Sequence, residues 1–460
     1  MRFLPLLVFL PLFYFSAAAT DTLFVFKEFV VTGNRVTHQA TIEREVVFIR
    51  QESYSRQQID SLLERSIQNL QRLTLFNRVG AEAVYAENNN FYVRIEVTER
   101  WYWWPRIFFE VAEPNFNIWW QTRDFARANY GMELYKQNFR GRNEDLYLSA
   151  KSGYARRFRV YYRKPWLSPK SAWGIVADAA YTEQEEVNIG TVQHTREFYR
   201  VPGEVGLTER SGAVGMTYRP RIHTISEAIV GMVHVNIPDS LADLAPDLLA
   251  SGATRLVYPK LNLRLRHDTR DNPGYPLSGF LFETLLGHRF FNLLNPKMTD
   301  LTEWYTDVRL HRELGTRWYG ALQGVMKWKL RGQVPYLVQR GFGYHDLVRG
   351  FELSVIDGQS YTFFSTNLKY ALIPKREINL RGKFTALSHA HYALYWTTFS
   401  DAGYVRDTFA TPQNPLANTW IISIGSGLDF STYYDTVIRA EVSFNSFGRP
   451  GFFVHFRKIF

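Results

Sequence analysis

The stretch Leu261-Asn262-Leu263-Arg264-Leu265-Arg266 decides the fold, because leucine alternates in it with amide and guanidinium side chains. Successive side chains of a β-strand point to opposite faces, so this segment predicts a strand with one apolar and one charged face. A soluble β-sandwich also alternates, but its cores rarely need so many arginines. We interpret the apolar face as facing lipid and the charged face as lining a wet, basic lumen.

The same alternation recurs from about residue 101 to the end of the chain. Apolar residues alternate with charged or polar ones in segments 145–151, 158–163, 307–311, 364–370 and 440–445. At about 22 residues per strand and loop, this region accommodates roughly sixteen strands. The predicted fold class is mainly β: a transmembrane β-barrel over residues 101–460, preceded by a small α+β domain over residues 22–99.

The amino-acid composition favours a membrane β-barrel over a bundle of membrane helices, and it excludes chemistry that needs cysteine. The 460 residues include 12 Trp, 27 Tyr and 35 Phe, and the mean hydropathy of −0.25 is too polar for a bundle of membrane helices. The groups Trp101–Trp104, Trp119-Trp120 and Trp304-Tyr305 are expected in aromatic girdles or, for the first, at the domain junction; core packing is the alternative. The chain has no cysteine, which excludes disulfides, thiolate metal sites and cysteine nucleophiles.

Residues 1–19 have the pattern of a secretory signal peptide. Arg2 is followed by the apolar run Phe3–Phe15 and by the small residues Ala17–Ala19. A membrane anchor is the alternative, but the run is interrupted by prolines and is shorter than the ~20 residues that a spanning helix needs. We therefore expect export of the protein, with cleavage near Ala19.

Residues 22–99 predict the element order β-α-α-β-β. A first strand near residues 24–31 is followed by a short helix over Thr41–Phe48. Ser55 and Gln58 match a capping box, and the helix that they open carries an apolar stripe from Ile59 to Leu73. Two alternating strands follow. Acidic and basic residues nearly balance here, so the excess of the formal net charge of +10 lies in the rest of the chain.

Three stretches of this small domain resemble the POTRA module, the periplasmic domain of outer-membrane assembly proteins. They are Val31–Arg35 after the first strand, Leu75–Val79 entering the second and Val93–Glu99 ending the third. The alternative is another α+β domain. The resemblance implies that the domain binds client segments by adding a strand to the edge of its sheet.

Three motifs in the second half of the chain resemble those of the BamA/TamA/FhaC superfamily of outer-membrane assembly and secretion barrels. A turn motif at residues 268–279 is followed by Leu347–Glu352 and Phe399–Gly403, in the family's order. The first motif also suits an ordinary hairpin. The turn residues are Asp268, Arg270, Asp271, Asn272, Pro273 and Gly279. The resemblance implies that a loop folded into the barrel contacts its wall through Arg349, Gly350, Phe351 and Asp401.

The last strand resembles the bacterial β-signal that the assembly machinery recognises. Gly451 precedes an alternating row that includes Phe456 and ends at the terminal Phe460, with Lys458 as an interruption. Near a membrane surface a lysine can extend its amine to water, so the departure is mild. One POTRA-like domain fits before the barrel, which favours a compact accessory member of the family.

The sequence contains no nucleophile elbow, P-loop or H-E-x-x-H motif, and we predict no enzyme and no cofactor. His389 and His391 could form half of a metal site, but no third ligand follows, and we predict no metal. His345-Asp346 could be an acid–base pair, although a local hydrogen bond is the simpler interpretation.

These patterns predict an outer-membrane barrel, with its POTRA domain in the periplasm, that inserts or translocates other proteins. The expected partners are unfolded outer-membrane or secreted clients, outer-membrane lipid and accessory lipoproteins, but not nucleic acid. A two-partner-type transporter that exports one client is the alternative, and a passive porin is a third. The loop that carries Arg349 argues against a porin, because it would plug the pore.

Overall fold

The structure is a computed structural model that describes residues 22–111, 128–168, 171–249, 252–332, 335–379, 389–432 and 436–458. The predicted signal peptide, Trp119-Trp120 and Phe460 lie outside these ranges. Within them, no helix is both long and apolar enough to cross a membrane.

The POTRA-like domain is a four-stranded sheet covered by two helices, with the strand order β2-β1-β4-β3. Strand β1 pairs in parallel with β4, and β4 pairs antiparallel with β3. The elements are β1 (Phe24–Thr32), α1 (Gln39–Glu43), β2 (Ser53–Tyr54), α2 (Arg56–Arg72), β3 (Phe76–Ala86) and β4 (Asn90–Glu99).

Helix α2 begins where the capping pattern predicts. The Ser55 side chain accepts a hydrogen bond from the Gln58 backbone, and the Gln58 side chain accepts one from the Ser55 backbone. The apolar stripe of α2 packs on the sheet, where Ile59 and Leu70 are completely buried beside Phe91. The domain therefore has its own hydrophobic core.

The first helix is shorter than predicted. It ends at Glu43 rather than Phe48, because side chains of α2 bind the backbone that follows it. Asn69 Nδ2 donates to the Glu45 carbonyl at 3.0 Å, and the Val47 amide donates to Ser66 Oγ at 3.3 Å. The chain then runs extended, with Phe48 buried in the core, and forms the additional short strand β2.

Sixteen of the strands described after β4 form one antiparallel sheet, as predicted. The ladders that join the described residues run in one order from β22 to β5, with these two strands at its ends. The sixteen strands are β5 (Trp103–Val111), β6 (Ala128–Phe139), β7 (Glu144–Gly153), β8 (Ala155–Lys164), β9 (Trp173–Gln184), β12 (Leu207–Arg221), β13 (Thr224–Asn236), β14 (Arg255–Asp268), β15 (Gly279–Arg289), β16 (Leu301–Gly315), β17 (Trp318–Arg331), β18 (Ser360–Asn379), β19 (His389–Arg406), β20 (Trp420–Thr432), β21 (Thr436–Asn445) and β22 (Pro450–Lys458).

Alternate residues of these strands face outward and inward, as the sequence predicts. The apolar residues Leu263, Leu310 and Phe364 are between 43% and 51% exposed on the outer face. Inward-facing arginines pair with carboxylates of the same or a neighbouring strand. The pairs include Arg159–Asp178, Arg163–Asp145, Arg264–Glu227, Arg309–Asp307 and Arg439–Asp429.

Aromatic side chains lie on neighbouring strands near both ends of the barrel. Trp318 lies 4.8 Å from Tyr370, ring centre to ring centre, at the end nearer the POTRA-like domain. Tyr404 and Trp420 are 5.4 Å apart at the opposite end. These positions fit aromatic girdles at two membrane surfaces.

The two ends of the barrel differ in their connections. Short turns at one end contact the POTRA-like domain, whereas the opposite end carries the long ones. A separate hairpin, the outer hairpin β10–β11, lies there and packs with the segment 237–249 in a hydrophobic cluster. The elements at this end are β10 (Glu186–Val192), β11 (Thr195–Arg200), α3 (Asp239–Leu244), α4 (Phe291–Leu294) and a 3-10 helix (Tyr336–Val338).

Candidate functional site: a loop and a turn folded into the barrel

The inner loop, residues 335–359, is attached to the barrel wall by the buried charge of Arg349. Its Arg349 donates from Nε and Nη2 to the two carboxylate oxygens of Asp401, at 2.7 and 2.6 Å. Arg349 also donates to Asn367 Oδ1 and Ser365 Oγ on β18, each at 2.9 Å. The guanidinium lies 3.6 Å from the centre of the Phe399 ring. A planar fork between two strands and an aromatic face suits arginine, and lysine could not replace it.

Each residue of the motif Phe399-x-Asp401-x-Gly403 has a separate task. Phe399 supports the guanidinium, Asp401 neutralises it, and Gly403 leaves room for the inner loop. A Cβ atom at Gly403 would lie 2.6 Å from both Phe342 and Val348 of the inner loop. Strand β19 presents all three residues to the lumen, because alternate residues of a strand share one face.

Gly350 and Phe351 fix the inner loop against the last strands. Gly350 has a φ of +81°, which favours glycine, and its carbonyl accepts a hydrogen bond of 2.9 Å from Asn445 Nδ2. Phe351 is buried and packs edge-on against Phe447, in the turn between β21 and β22. The next residue, Glu352, bonds His455 of β22 at 3.0 Å rather than competing for Arg349.

The Asn272 turn, residues 269–278, is built from the hydrogen bonds of its motif. Arg270 forks onto Asp268 at 2.9 and 2.7 Å, and Asp271 Oδ1 accepts from two backbone amides across the turn. Asn272 Oδ1 accepts a hydrogen bond of 2.7 Å from the Gly274 amide. Pro273, between these two residues, restricts the backbone of the turn. Gly279 has a φ of +102°, and a Cβ atom at this position would lie only 2.5 Å from the Thr269 carbonyl oxygen. Glycine is therefore required where β15 begins.

This turn reaches into the lumen from the end opposite to the long loops. The Tyr275 hydroxyl donates to Asp429 Oδ2 on β20 at 2.8 Å, and Lys369 Nζ lies 3.9 Å from the centre of the Tyr275 ring. A cavity of about 540 Å³ remains between the turn and the inner loop. Its basic lining includes Arg270, His311, Arg349, Lys369, Arg439 and His455.

The outer hairpin covers the inner loop from the opposite side. At its tip, the His194 carbonyl accepts from the Val355 amide of the inner loop at 2.8 Å. The His194 amide donates to Asn414 Oδ1 at 3.1 Å, in the loop between β19 and β20. The lumen is thus occupied by three layers: the Asn272 turn, the inner loop and the outer hairpin.

The POTRA-like domain is docked on the short turns by polar contacts. Arg219 at the end of β12 forks onto the buried carboxylate of Glu45 at 2.6 and 3.0 Å. Arg72 of α2 donates to a ring nitrogen of His223 and, at 3.0 Å, to the Thr269 carbonyl of the Asn272 turn. Burial and the neighbouring Arg72 charge lower the pKa of His223, so the docked arrangement favours the neutral imidazole.

The small domain can be assigned by comparison with known families. A family model described as POTRA, surface antigen variable number repeat, matches residues 24–100. These residues are a POTRA domain. The match covers β1 to β4 and includes the three stretches that the resemblance rested on.

The whole chain has the fold of known outer-membrane barrels. BamA from Haemophilus ducreyi lacking POTRA domains 1–3 aligns with a TM-score of 0.52 and 12% identity, over 94% of this chain and 83% of that one. CdiB from Escherichia coli aligns with 0.53 and 10%, over 96% and 91%. CdiB from Acinetobacter baumannii gives 0.53 and 11%, over 94% and 73%. No curated protein matches the chain significantly in sequence.

The structure brings the predicted residues into two groups that surround one cavity. Arg349, Gly350, Phe351 and Asp401 lie together at the inner loop. The predicted turn residues lie beneath it in the Asn272 turn and at the two strand ends that flank it, Asp268 and Gly279. Gly451 and Phe456 lie on β22, where Phe456 pairs with Ile438. His345 bonds Asp346 at 3.1 Å and is largely exposed, which fits the local hydrogen bond. The His389 side chain lies outside the described part of the structure.

Sequence reasoning missed several side chains that complete the site. Ser365 and Asn367 bind Arg349, and Tyr275 joins the turn to Asp429. Their only signal is that polar residues alternate on β18 and β20. The contacts between the POTRA domain and the barrel have no signal in the sequence, because the paired residues are 63 to 197 positions apart.

Proposed function

We propose that this protein acts at the outer membrane in the assembly of other β-barrel proteins, with the POTRA domain in the periplasm. The observation that carries the proposal is the free edge of the POTRA sheet. Strand β3 has 11 residues and is the last strand in the sheet order, with β4 on one side. Helix α2 packs beside it, so an extended client segment could pair with β3 and contact α2.

The two edge strands of the barrel sheet are where a captured client strand would be inserted next. Strands β5 and β22 end the order of described ladders, and β5 follows the POTRA domain directly in the chain. A client strand released from β3 would exchange one set of backbone hydrogen bonds for another at this edge. Such an exchange leaves no backbone N–H unpaired in lipid, where each unpaired group costs several kcal/mol. Lipid and accessory lipoproteins are the further partners that this reaction would require.

Export of a single client through the lumen is the second candidate. The alignment with CdiB, which covers 91% of the Escherichia coli chain, and the basic cavity in the lumen favour it. Export would require the Asn272 turn, the inner loop and the outer hairpin to leave the lumen together. Assembly at the β5 and β22 edge leaves these layers in place. A passive porin fits less well, because the same layers fill the channel.

Site-specific photo-crosslinking tests the capture step. A photoreactive amino acid at the exposed position Arg78 on β3 should crosslink to unfolded outer-membrane proteins in living cells. The same group at the exposed Glu96, on β4, should not, because Glu96 is paired with β1 on one side and with β3 on the other. Equal crosslinking from the two positions would remove the argument for β3.

Depletion of the protein separates the two candidates. Assembly predicts the loss of several barrel proteins from the outer-membrane proteome, whereas export predicts the loss of one protein from the secretome. Loss of a single secreted protein with a normal outer-membrane proteome would establish the second candidate instead.

A further inference from the structure

A second polar cluster lies where the inner loop meets the last two strands. It consists of Glu352 in the loop, Glu441 on β21 and His455 on β22. His455 Nε2 lies 3.0 Å from Glu352 Oε1 and 3.5 Å from Glu441 Oε1. Both carboxylate side chains are only 1% exposed, whereas that of His455 is 33% exposed toward the cavity. Two buried carboxylates therefore share one imidazole.

The spacing of these atoms fits a metal ion. Zinc binds histidine nitrogen and carboxylate oxygen at about 2.0–2.2 Å in a tetrahedral arrangement, which places ligand atoms about 3.4 Å apart. The two separations from His455 are close to this value, and one ligand atom from each residue lies within 4.8 Å of the others. One histidine with two carboxylates is a donor set that suits a divalent cation of borderline softness.

The hydrogen bonds of the cluster leave one of its oxygens available. Among the described residues, Glu441 Oε1 is buried and forms no hydrogen bond, because His455 Nε2, 3.5 Å away, is bonded to Glu352 instead. The nearest guanidinium, that of Arg439, lies 4.0 Å from the other oxygen of Glu441 and is committed to Asp429 by two hydrogen bonds. A buried carboxylate oxygen without a hydrogen bond is costly, and a cation would satisfy it.

We propose that Glu352, Glu441 and His455 bind a divalent cation, with zinc as the best match. The site would take three protein ligands and one water from the cavity. Because its ligands come from the inner loop and from β21 and β22, the ion would link the loop to the last two strands of the barrel. This proposal concerns the barrel with its inner loop inside the lumen, and it does not depend on which client the protein handles.

Zinc binding by the purified full chain tests the proposal. The protein is prepared in detergent without a histidine tag, stripped with a chelator and titrated with zinc against a chromophoric competitor. We expect one tightly bound zinc per chain. His455→Gln and Glu441→Gln should each weaken binding at least tenfold. The matched control His234→Gln, on β13 across the barrel, should leave binding unchanged. Absence of stoichiometric zinc, or equal affinity in all variants, would overturn the proposal.

Two further measurements keep the test decisive. Heat-dependent mobility in gels shows whether each variant has folded, and Glu352→Gln replaces any strand variant that fails to fold. Cobalt in place of zinc should give the strong visible absorption of a four-coordinate ion in the wild-type chain. If the three residues form only an ion pair of a charged imidazole, the wild-type chain will bind neither metal and the proposal fails.

Discussion

At the scale of single residues, the lumen is organised by arginines that need carboxylates. Arg349 loses most of its water in the inner loop, and it recovers the lost interactions through four hydrogen bonds from its side chain and one aromatic face. Asp401 is 1% exposed and accepts from the Arg349 side chain and backbone. Neither charge could stay buried without the other, so removal of either partner should loosen the loop.

A double-mutant cycle tests this attachment. Arg349→Ala and Asp401→Ala should each lower the free energy of unfolding by about 3–5 kcal/mol, because each leaves one charge buried without its partner. The double variant should cost clearly less than the sum. The exposed pair Arg156–Glu183, 3.4 Å apart on the barrel wall, is the control and should contribute little. Strictly additive effects for Arg349 and Asp401 would contradict the coupling.

At the scale of elements, several polar contacts join the POTRA domain to the barrel in one orientation. The His38 amide and Thr41 Oγ1 donate to the Gly141 carbonyl, in the turn between β6 and β7, at 2.8 and 3.2 Å. The Glu45–Arg219 pair links the segment after α1 to β12, and Arg72 links α2 to the turns at His223 and Thr269. The Asn272 turn therefore contacts the POTRA domain at one side and the lumen at the other. The position of α2 is thereby connected to the packing inside the barrel.

Loss of the Glu45–Arg219 pair should loosen the docking of the POTRA domain without unfolding it. Arg219→Ala leaves the Glu45 carboxylate buried without its partner, which weakens docking, while the hydrogen bonds at Gly141 and Thr269 remain. Spin labels at Glu64→Cys and Arg317→Cys, in a chain without other cysteines, should report one narrow distance distribution in the parent protein. We expect a broader distribution in Arg219→Ala. An unchanged narrow distribution would show that the pair does not hold the domain.

Docking should also depend on pH through His223. Its pKa is lowered in the docked state, so the neutral form is favoured there. Neutral His223 therefore contributes fully to docking when the pH is above the ordinary histidine pKa of about 6.5. This contribution is lost as the pH falls below that value. The same spin-label distances should broaden between about pH 7.5 and 5.5. His223→Asn should remove this pH dependence, and a dependence that persists in the variant would assign it to another group.

At the scale of the whole molecule, the barrel has two unlike ends. The POTRA domain and the short turns occupy one end, and the outer hairpin and the segment 237–249 occupy the other. In the described structure, Asp243 is exposed at the end opposite the POTRA domain. Placing the POTRA domain in the periplasm therefore places Asp243 at the cell surface.

Cysteine labelling on whole cells checks this orientation. Asp243→Cys should react with a membrane-impermeant thiol reagent on intact cells. Arg317→Cys, which lies in an exposed turn at the POTRA end, is the matched control and should react only after the outer membrane is opened. The reverse pattern would invert the proposed orientation.

The sequence by itself determined the strand pattern, the approximate number of strands and the position of the small domain. These features follow from side-chain alternation, capping and turn residues, which act over a few positions in the chain. The sequence also predicted a contact through Arg349 and Asp401, on the basis of the resemblance to a family. Only the tertiary structure decided what the motifs contact: Ser365 under Arg349, Tyr275 on Asp429 and Arg219 on Glu45. These partners are brought together across the lumen and by domain docking. The alternation of residues predicts which face of a strand a side chain takes, but not which residue it contacts there.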